Sequence, residues 1–273
     1  MPIFHIIVLA AVQGITEFLP VSSSGHLILV PNIAGWHDQG RAIDVAVHIG
    51  TLLAVMLYFW RDIGAMTAAF FRAFRLLAQR RALDKEFWLL VNLIVATIPA
   101  VIAGVIIDKY FAAALRSIEI VAWTIIGFAI VLYVADNLFM TIRKIEHITL
   151  WGALFIGLCQ AVALIPGTSR SGITMTAARV LGIERPEAAR FSFLMAIPAI
   201  LGAGAFEGYR LYEAGDYAMA SDAALTGFFA FLFGLAAIAF MMAWLRRASF
   251  TPFVVYRLLL GGALLVYIYG WPI

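Results

Sequence analysis

Two polar interruptions break a chain that is otherwise continuously apolar. Ile3 to Val12 is an apolar run and Leu27 to Val30 is another; between them stands QGITEFLPVSSSGH, Gln13 to His26. The second interruption, QAVALIPGTSRSG, runs from Gln160 to Gly172, behind the apolar Leu150 to Cys159 and ahead of Ile173-Thr174-Met175. Elsewhere, six longer apolar runs approach the ~20 residues that a bilayer-crossing helix needs. They predict spans at Ile43 to Trp60, Phe87 to Ile107, Ile118 to Ala135, Phe191 to Phe206, Ala223 to Leu245 and Phe253 to Trp271. Trp60, Trp88, Trp244, Tyr267 and Trp271 flank these runs as an interfacial aromatic belt. Pro99 and Pro198 fall inside spans, where neighbouring helices can satisfy the freed carbonyls.

The interrupted stretches do not read as plain crossings. Ile3 to Val12 and His26 to Gly35 each hold only about ten residues, a length typical of re-entrant or buried segments. Residues 3–35 and 149–181 are therefore expected to be two re-entrant helix hairpins with polar tips. A shift of 147 positions lays Gln13 on Gln160, Ser22 on Ser169, Ser24 on Ser171 and Gly25 on Gly172. The same shift sets Val45 to Ala54 over Ser192 to Leu201. This suggests an internal repeat, about 1–110 and 148–273. Repeats related by an axis in the membrane plane build midplane sites from broken helices.

Composition sharpens the class. With 64% hydrophobic and 13% charged residues and a mean hydropathy of +0.97, the 273 residues form an all-α polytopic membrane protein, a single integral membrane domain over 1–273. The ten-residue alternation of a membrane β-barrel is missing. One cysteine, Cys159, offers neither a disulfide nor a thiolate cluster and is expected to pack. The net charge of +3 is scattered over loops, which excludes a nucleic-acid footprint. No basic region precedes the first run, so no removable signal peptide is expected.

Charge orients the spans. Arg61, Arg72, Arg75, Arg80, Arg81 and Lys85 oppose three acidic residues between Arg61 and Glu86, so this segment reads as a cytoplasmic loop. Counting onward puts Arg143 and Lys144 inside. Arg179, Arg185 and Arg190 follow if the second hairpin returns to its own side. The acidic Glu207 to Asp222 loop falls outside, Arg246 and Arg247 inside, and both termini outside. The hairpins then enter from opposite faces, an inverted-topology repeat with six transmembrane helices. An eight-span arrangement keeps the same parity, and hairpin length decides against it.

The polar tips carry the candidate chemistry. Ionisable groups at membrane depth cost roughly 2.5–3.5 kcal/mol each, so they usually serve a wet cavity; an ordinary loop outside the membrane is the bland alternative. Gln13 and Glu17 share a helix face, and Pro20 then ends that helix. Ser22, Ser23 and Ser24 precede a new helical arm, where hydroxyls cap free N–H groups. Pro166-Gly167 breaks the second hairpin, with Thr168 and Ser169 at a new N-terminus and Arg170 adding a fork of donors suited to phosphate. Helix N-termini bind phosphate, and Gly25 and Gly172 permit close approach. Gln13 and Glu17 offer hard oxygens to a divalent cation, magnesium or calcium. Ser23 and His26, three apart, pair a nucleophile with a base. Together these parts describe phosphoryl transfer to water.

Each part has a structural alternative: a serine cap, a backbone bond for His26, a packing amide for Gln13, and a purely structural Glu17–Arg170 pair. Asp44 stands where it can orient a tip; His48 and Asn92 inside spans are expected to pair with neighbouring helices. His5, His37 and His147 show no metal-ligand spacing. Arg257, after Pro252, is expected to snorkel.

The two motifs resemble those of the undecaprenyl-diphosphatase family of bacterial inner membranes, linked to bacitracin resistance. Gln13 and Glu17 match its (Glu/Gln)-x-x-x-Glu element, Pro20 to His26 its Pro-x-Ser-Ser-x-Gly-His element, and Pro166 to Gly172 its Pro-Gly-x-Ser-Arg-Ser-Gly element. Length, spacing and the stretch Ser249 to Phe253 are similar too, so the likeness covers essentially the whole chain. It implies removal of the terminal phosphate of undecaprenyl diphosphate, which recycles the peptidoglycan lipid carrier, with divalent-metal dependence and a periplasm-facing site. Glu17, Ser23, His26 and Arg170 are then the expected catalytic set, with Ser22, Ser24, Gly25, Thr168, Ser169, Ser171 and Gly172 around the phosphates and Gln13 with Glu17 at the metal. Gln13 in place of Glu removes one charge from that metal site. Direct attack by Ser23 and attack by a water activated by Glu17 or His26 both fit. A polyprenyl-phosphate flippase is the rival reading, since it would use the same anion site. A phosphatidic-acid-type phosphatase is disfavoured because no second histidine stands near Arg170. The implied partners are the polyprenyl diphosphate and membrane lipid, with a homodimer left open.

Overall fold

In the computed structural model, residues 1–36, 40–110, 117–139, 142–214 and 220–270 are described. His37, Trp271 and part of the Glu207–Asp222 loop lie outside them. The described residues form eleven α-helices: α1 Ile3–Phe18, α2 Ser23–Ala34, α3 Arg41–Tyr58, α4 Trp60–Ala78, α5 Lys85–Tyr110, α6 Ile118–Leu138, α7 Leu150–Val162, α8 Arg170–Val180, α9 Arg185–Ala214, α10 Ala220–Trp244 and α11 Thr251–Tyr269. A single 3-10 turn, Ile145–His147, precedes α7.

Five helices, α5, α6, α9, α10 and α11, hold segments long and apolar enough to cross a membrane. A sixth crossing arises if the bent pair α3–α4 counts as one span. All six expected runs are therefore helical. The helices α1 and α7 are shorter and apolar, as the ten-residue runs suggested. Caps set several starts: the Ser117 hydroxyl accepts from Ile120 N, and Thr149 accepts from Gly152 N. Pro252 opens α11, where its missing N–H costs nothing.

The segment from Arg61 to Glu86 departs from its reading as a loop. It contains α4, a nineteen-residue helix set at 76° to α3. Its arginines alternate with apolar residues at helical spacing, with Met66, Ala69 and Ala73 on the buried side. Low mean hydropathy hid this helix from a search for spans.

Packing is close. α3 lies against α10, and α1 also lies against α10, while α7 lies against α5 and α11 against α6. At Gly50 a methyl group would strike the Gly227 backbone of α10, so the α3–α10 approach requires small residues. Phe18, at the end of α1, meets Phe193 of α9 edge-on at 5.4 Å, and Phe59 lies 6.3 Å from the same ring. This aromatic group fixes the inner end of α1.

A buried ion-pair node ties α6 to the far end of α8. Asp136 is 3% exposed. Its Oδ1 lies 3.0 Å from Arg179 Nε and accepts from Arg185 Nε at 2.8 Å, while Oδ2 accepts from Phe250 N at 3.2 Å. Arg179 also donates to the Ile183 and Asp136 carbonyls. Arg179, counted among the basic residues on the inner side, is buried and serves as an internal strut. Replacing Asp136 with Leu leaves Arg179 buried without its counter-charge, so the variant is expected to lose about 3–5 kcal/mol of stability. Denaturant or thermal unfolding of the purified protein in detergent measures that loss.

Candidate active site

The two tips meet. α1 ends at Phe18, Leu19 turns extended, and α2 starts at Ser23. In the other hairpin α7 ends at Val162, and α8 starts at Arg170. Both corners are closed by the same local device. Ser22 has φ of 79° and Ser169 a φ of 73°, a left-handed conformation uncommon for residues with a side chain. Each of these serines caps the helix it precedes: Ser22 Oγ accepts from Gly25 N at 3.3 Å and Ser169 Oγ from Gly172 N at 3.1 Å. Each also faces the hydroxyl two residues on, Ser24 at 3.4 Å and Ser171 at 3.3 Å. The expected capping role of the serines thus falls to Ser22 and Ser169.

The first residues of the two helices converge on one carboxylate. Ser23 Oγ donates to Glu17 Oε2 at 2.6 Å, and Arg170 Nη2 donates to Glu17 Oε1 at 2.8 Å. Gln13 Nε2 adds a third bond to Oε2 at 3.0 Å. Glu17 and Gln13 are buried, Ser23 is half-buried and Ser24 is exposed. Arg170 Nη1 also donates to the Ser192 carbonyl at 3.3 Å; two bonds do not exhaust its five N–H donors. Two positive helix ends, a guanidinium and several hydroxyls therefore face one region, an arrangement that suits a phosphorylated anion.

Other bonds hold the tips in register. Ser171 Oγ donates across to the Leu19 carbonyl at 3.0 Å. Thr124 on α6 donates to the Pro166 carbonyl at 2.6 Å. Gly167 has φ of 91°, and a methyl group there would press on the Val121 carbonyl at 2.7 Å, so the corner requires glycine. Thr168 is fully buried, and its hydroxyl has no hydrogen-bond partner among the described residues.

His26 stands apart from the expected pairing with Ser23. Its Nδ1 lies 2.7 Å from the Ser22 carbonyl, which assigns the proton to Nδ1. Its Nε2 lies 2.6 Å from the Tyr256 hydroxyl of α11, and the rings are nearly parallel at 9°. Ser23 is bonded to Glu17 instead. Asn92 does bond a neighbouring segment, at the Ile148 carbonyl, whereas His48 bonds Asp44 of its own helix.

Arg257 overturns its reading as a snorkelling side chain. It is fully buried and carries no carboxylate partner among the described residues. Instead it donates to four carbonyls: Ile125 at 3.2 Å, Pro20 at 3.2 Å, and Gly167 and Thr168 at 3.0 Å each. One guanidinium thus clasps both tips. Backbone acceptors leave no trace in a sequence, so the role of Arg257 was not legible there, and the Tyr256 bond to His26 joins distant parts of the chain.

Gln13 Oε1 is a buried acceptor with no donor, beside the Glu17 carboxylate. Among the described residues no cluster of three His, Cys, Asp or Glu side chains could hold a metal. Two protein oxygens fit a magnesium-type site, in which substrate phosphates and water complete the shell. A cavity between α5, the 3-10 turn and α7 lies elsewhere, rimmed by Lys85, Glu146 and Arg190 and sharing no tip residue.

The model of the bacitracin resistance protein BacA family matches residues 6–263. The chain belongs to the BacA family. Among its BacA relatives, the undecaprenyl-diphosphatase of Roseobacter denitrificans is 50% identical over 271 residues, 99% of this chain and all of that protein. That of Jannaschia sp. is 49% identical over the same share. Undecaprenyl-diphosphatase 1 of Rhodospirillum rubrum is 48% identical over all of this chain and 97% of its own.

Removing the Arg257 clasp frees the carbonyls of both corners at once. In Arg257→Met, amide hydrogen exchange at residues 21–22 and 167–169 is expected to quicken at least tenfold, while exchange in α5 and α10 stays unchanged. Exchange mass spectrometry on the detergent-solubilised protein reads both regions.

Proposed function

We infer that the protein hydrolyses undecaprenyl diphosphate to undecaprenyl phosphate and inorganic phosphate, at the meeting point of the two tips. The observation that carries this reading is the bridge Ser23–Glu17–Arg170, which couples a hydroxyl, a base and a cation in one line. Family membership and near-complete alignment with relatives named undecaprenyl-diphosphatase support the substrate.

Arg170 and the N–H groups that open α2 and α8 bind the diphosphate oxygens. Fixed donors of this kind stabilise charge on a phosphoryl group in flight, each worth about 10²–10³ in rate. Glu17 accepts the Ser23 proton as Ser23 Oγ attacks the terminal phosphorus. The bridging P–O bond breaks, and undecaprenyl phosphate leaves. Water then attacks the phosphoserine, Ser23 recovers its proton and inorganic phosphate departs. Within this scheme Tyr256 and the Ser22 carbonyl hold His26 with its proton on Nδ1, orienting the ring beside the phosphate region. Gln13 Oε1 and Glu17 would hold a magnesium or calcium ion, which neutralises phosphate charge.

The finer architecture follows the same reading. The pairs α1–α2 and α7–α8 are re-entrant hairpins, and the halves 1–110 and 148–273 form an inverted repeat. Exchange of partners supports this, since α1 packs on α10 of the other half and α7 on α5. The matching φ values of Ser22 and Ser169 support it too. The site opens toward the periplasm of the inner membrane, with both termini on that side, and the arginine-rich α4 end faces the cytoplasm.

Purified protein in detergent with undecaprenyl diphosphate tests the reading. Wild type is expected to release phosphate, Arg170→Ala and Ser23→Ala to fall at least 10³-fold, and all three to insert and elute as a folded, monodisperse species in detergent, with Arg170→Ala less stable because it leaves the buried Glu17 without its counter-charge. Near-normal turnover by Arg170→Ala, or no phosphate release by wild type, overturns it.

A further inference from the structure

The amphipathic helix α4 has three distinct sides, and only one of them is covered by protein. Met66, Ala69 and Ala73 form the buried stripe. Beside it stand Phe70, Phe74 and Leu77, which are 42%, 65% and 59% exposed. At about 100° per residue, Arg61, Arg72 and Arg75 project on nearly the opposite side from that apolar row. Phe70 meets Phe71 and Phe74 edge-on, at 5.6 and 5.4 Å, so the exposed aromatics form one patch.

Among the described residues, the arginines at the far end outnumber their acidic partners. Arg72 pairs with Asp84 at 2.8 Å, and Asp62 is taken by Arg190. Arg75, Arg80 and Arg81 are exposed and make no ion pair among the described residues. From Trp60 to Arg81 five arginines face one acidic residue, Asp62. Such a segment needs an anionic surface and an apolar one, side by side.

Geometry sets what can supply both. The eighteen residues of α3 extend ~27 Å, close to the depth of a bilayer core. A helix leaving its end at 76° runs nearly in the membrane plane, at headgroup level. An apolar face toward the acyl chains and arginines toward phosphates is the arrangement of an interfacial helix.

We propose that α4 lies in the headgroup layer and that Arg75, Arg80 and Arg81 bind the headgroups of anionic phospholipids. The site shares no residue with the tips and stands independently of the reaction proposed above. Basic residues at such a surface strengthen binding roughly fivefold each.

Native mass spectrometry of the full chain in detergent, titrated with phosphatidylglycerol and with phosphatidylcholine, tests the headgroup contact. In the triple variant R75Q/R80Q/R81Q, phosphatidylglycerol affinity is expected to fall at least tenfold while phosphatidylcholine affinity stays the same. Unchanged phosphatidylglycerol binding, or an equal loss for both lipids, overturns the proposal. Nitroxide labels placed at Phe74→Cys or Arg75→Cys in a Cys159→Ala background, reconstituted in phosphatidylglycerol-containing vesicles, test the placement without altering the arginine cluster as a whole. The label at 74 is expected to collide with oxygen in the acyl region and the label at 75 with a water-soluble nickel chelate. Both labels in water, or both in the hydrocarbon core, also overturn it.

Discussion

A cation buried without an anion organises the centre of this protein. Arg257 is fully enclosed and, among the described residues, is held by four carbonyls. Hydrogen bonds to charged groups are worth about 1.5–3 kcal/mol each, and a guanidinium left short of them at this depth would be costly. The arrangement persists only while Pro20, Gly167 and Thr168 stay within reach together. The clasp therefore fixes the separation of the two corners, and the corners in turn set where Ser23 and Arg170 begin their helices. The Asp136 node acts at the other end of α8, so that helix is held at both ends.

Glu17 links this scaffold to the chemistry. It is the one carboxylate on which both corners converge, and its two oxygens are divided between Arg170 and Ser23. A structural ion pair between Glu17 and Arg170 was one reading of the sequence, and the pair is indeed made. The Ser23 hydroxyl bonds the other oxygen, so the carboxylate joins the first residues of both α2 and α8.

Much of this was legible because polar residues inside apolar runs are conspicuous. Gln13, Glu17 and the serine triplet stood out against Ile3 to Val12, and Pro166-Gly167 announced the second corner. The long runs were equally clear as helices. Three things were not. Arg257 looks like any arginine near a span end, since its partners are backbone oxygens. The pairing of His26 with Tyr256 joins residues 230 apart in the chain, beyond any local pattern, and the spacing of Ser23 and His26 suggested a different bond. α4 was taken for a loop because its arginines satisfied a rule about charge, while the same arginines, set among phenylalanines at helical intervals, were building an amphipathic surface.

The twinned corners have one further consequence. Each bends the chain at a left-handed serine, caps with the same atom and opens a helix one residue later. At that next position the two differ: a hydroxymethyl group in one, a guanidinium in the other. A neutral hydroxyl and a positive charge are thus carried to one carboxylate by matching turns, and what sets the two corners apart is a single side chain in each.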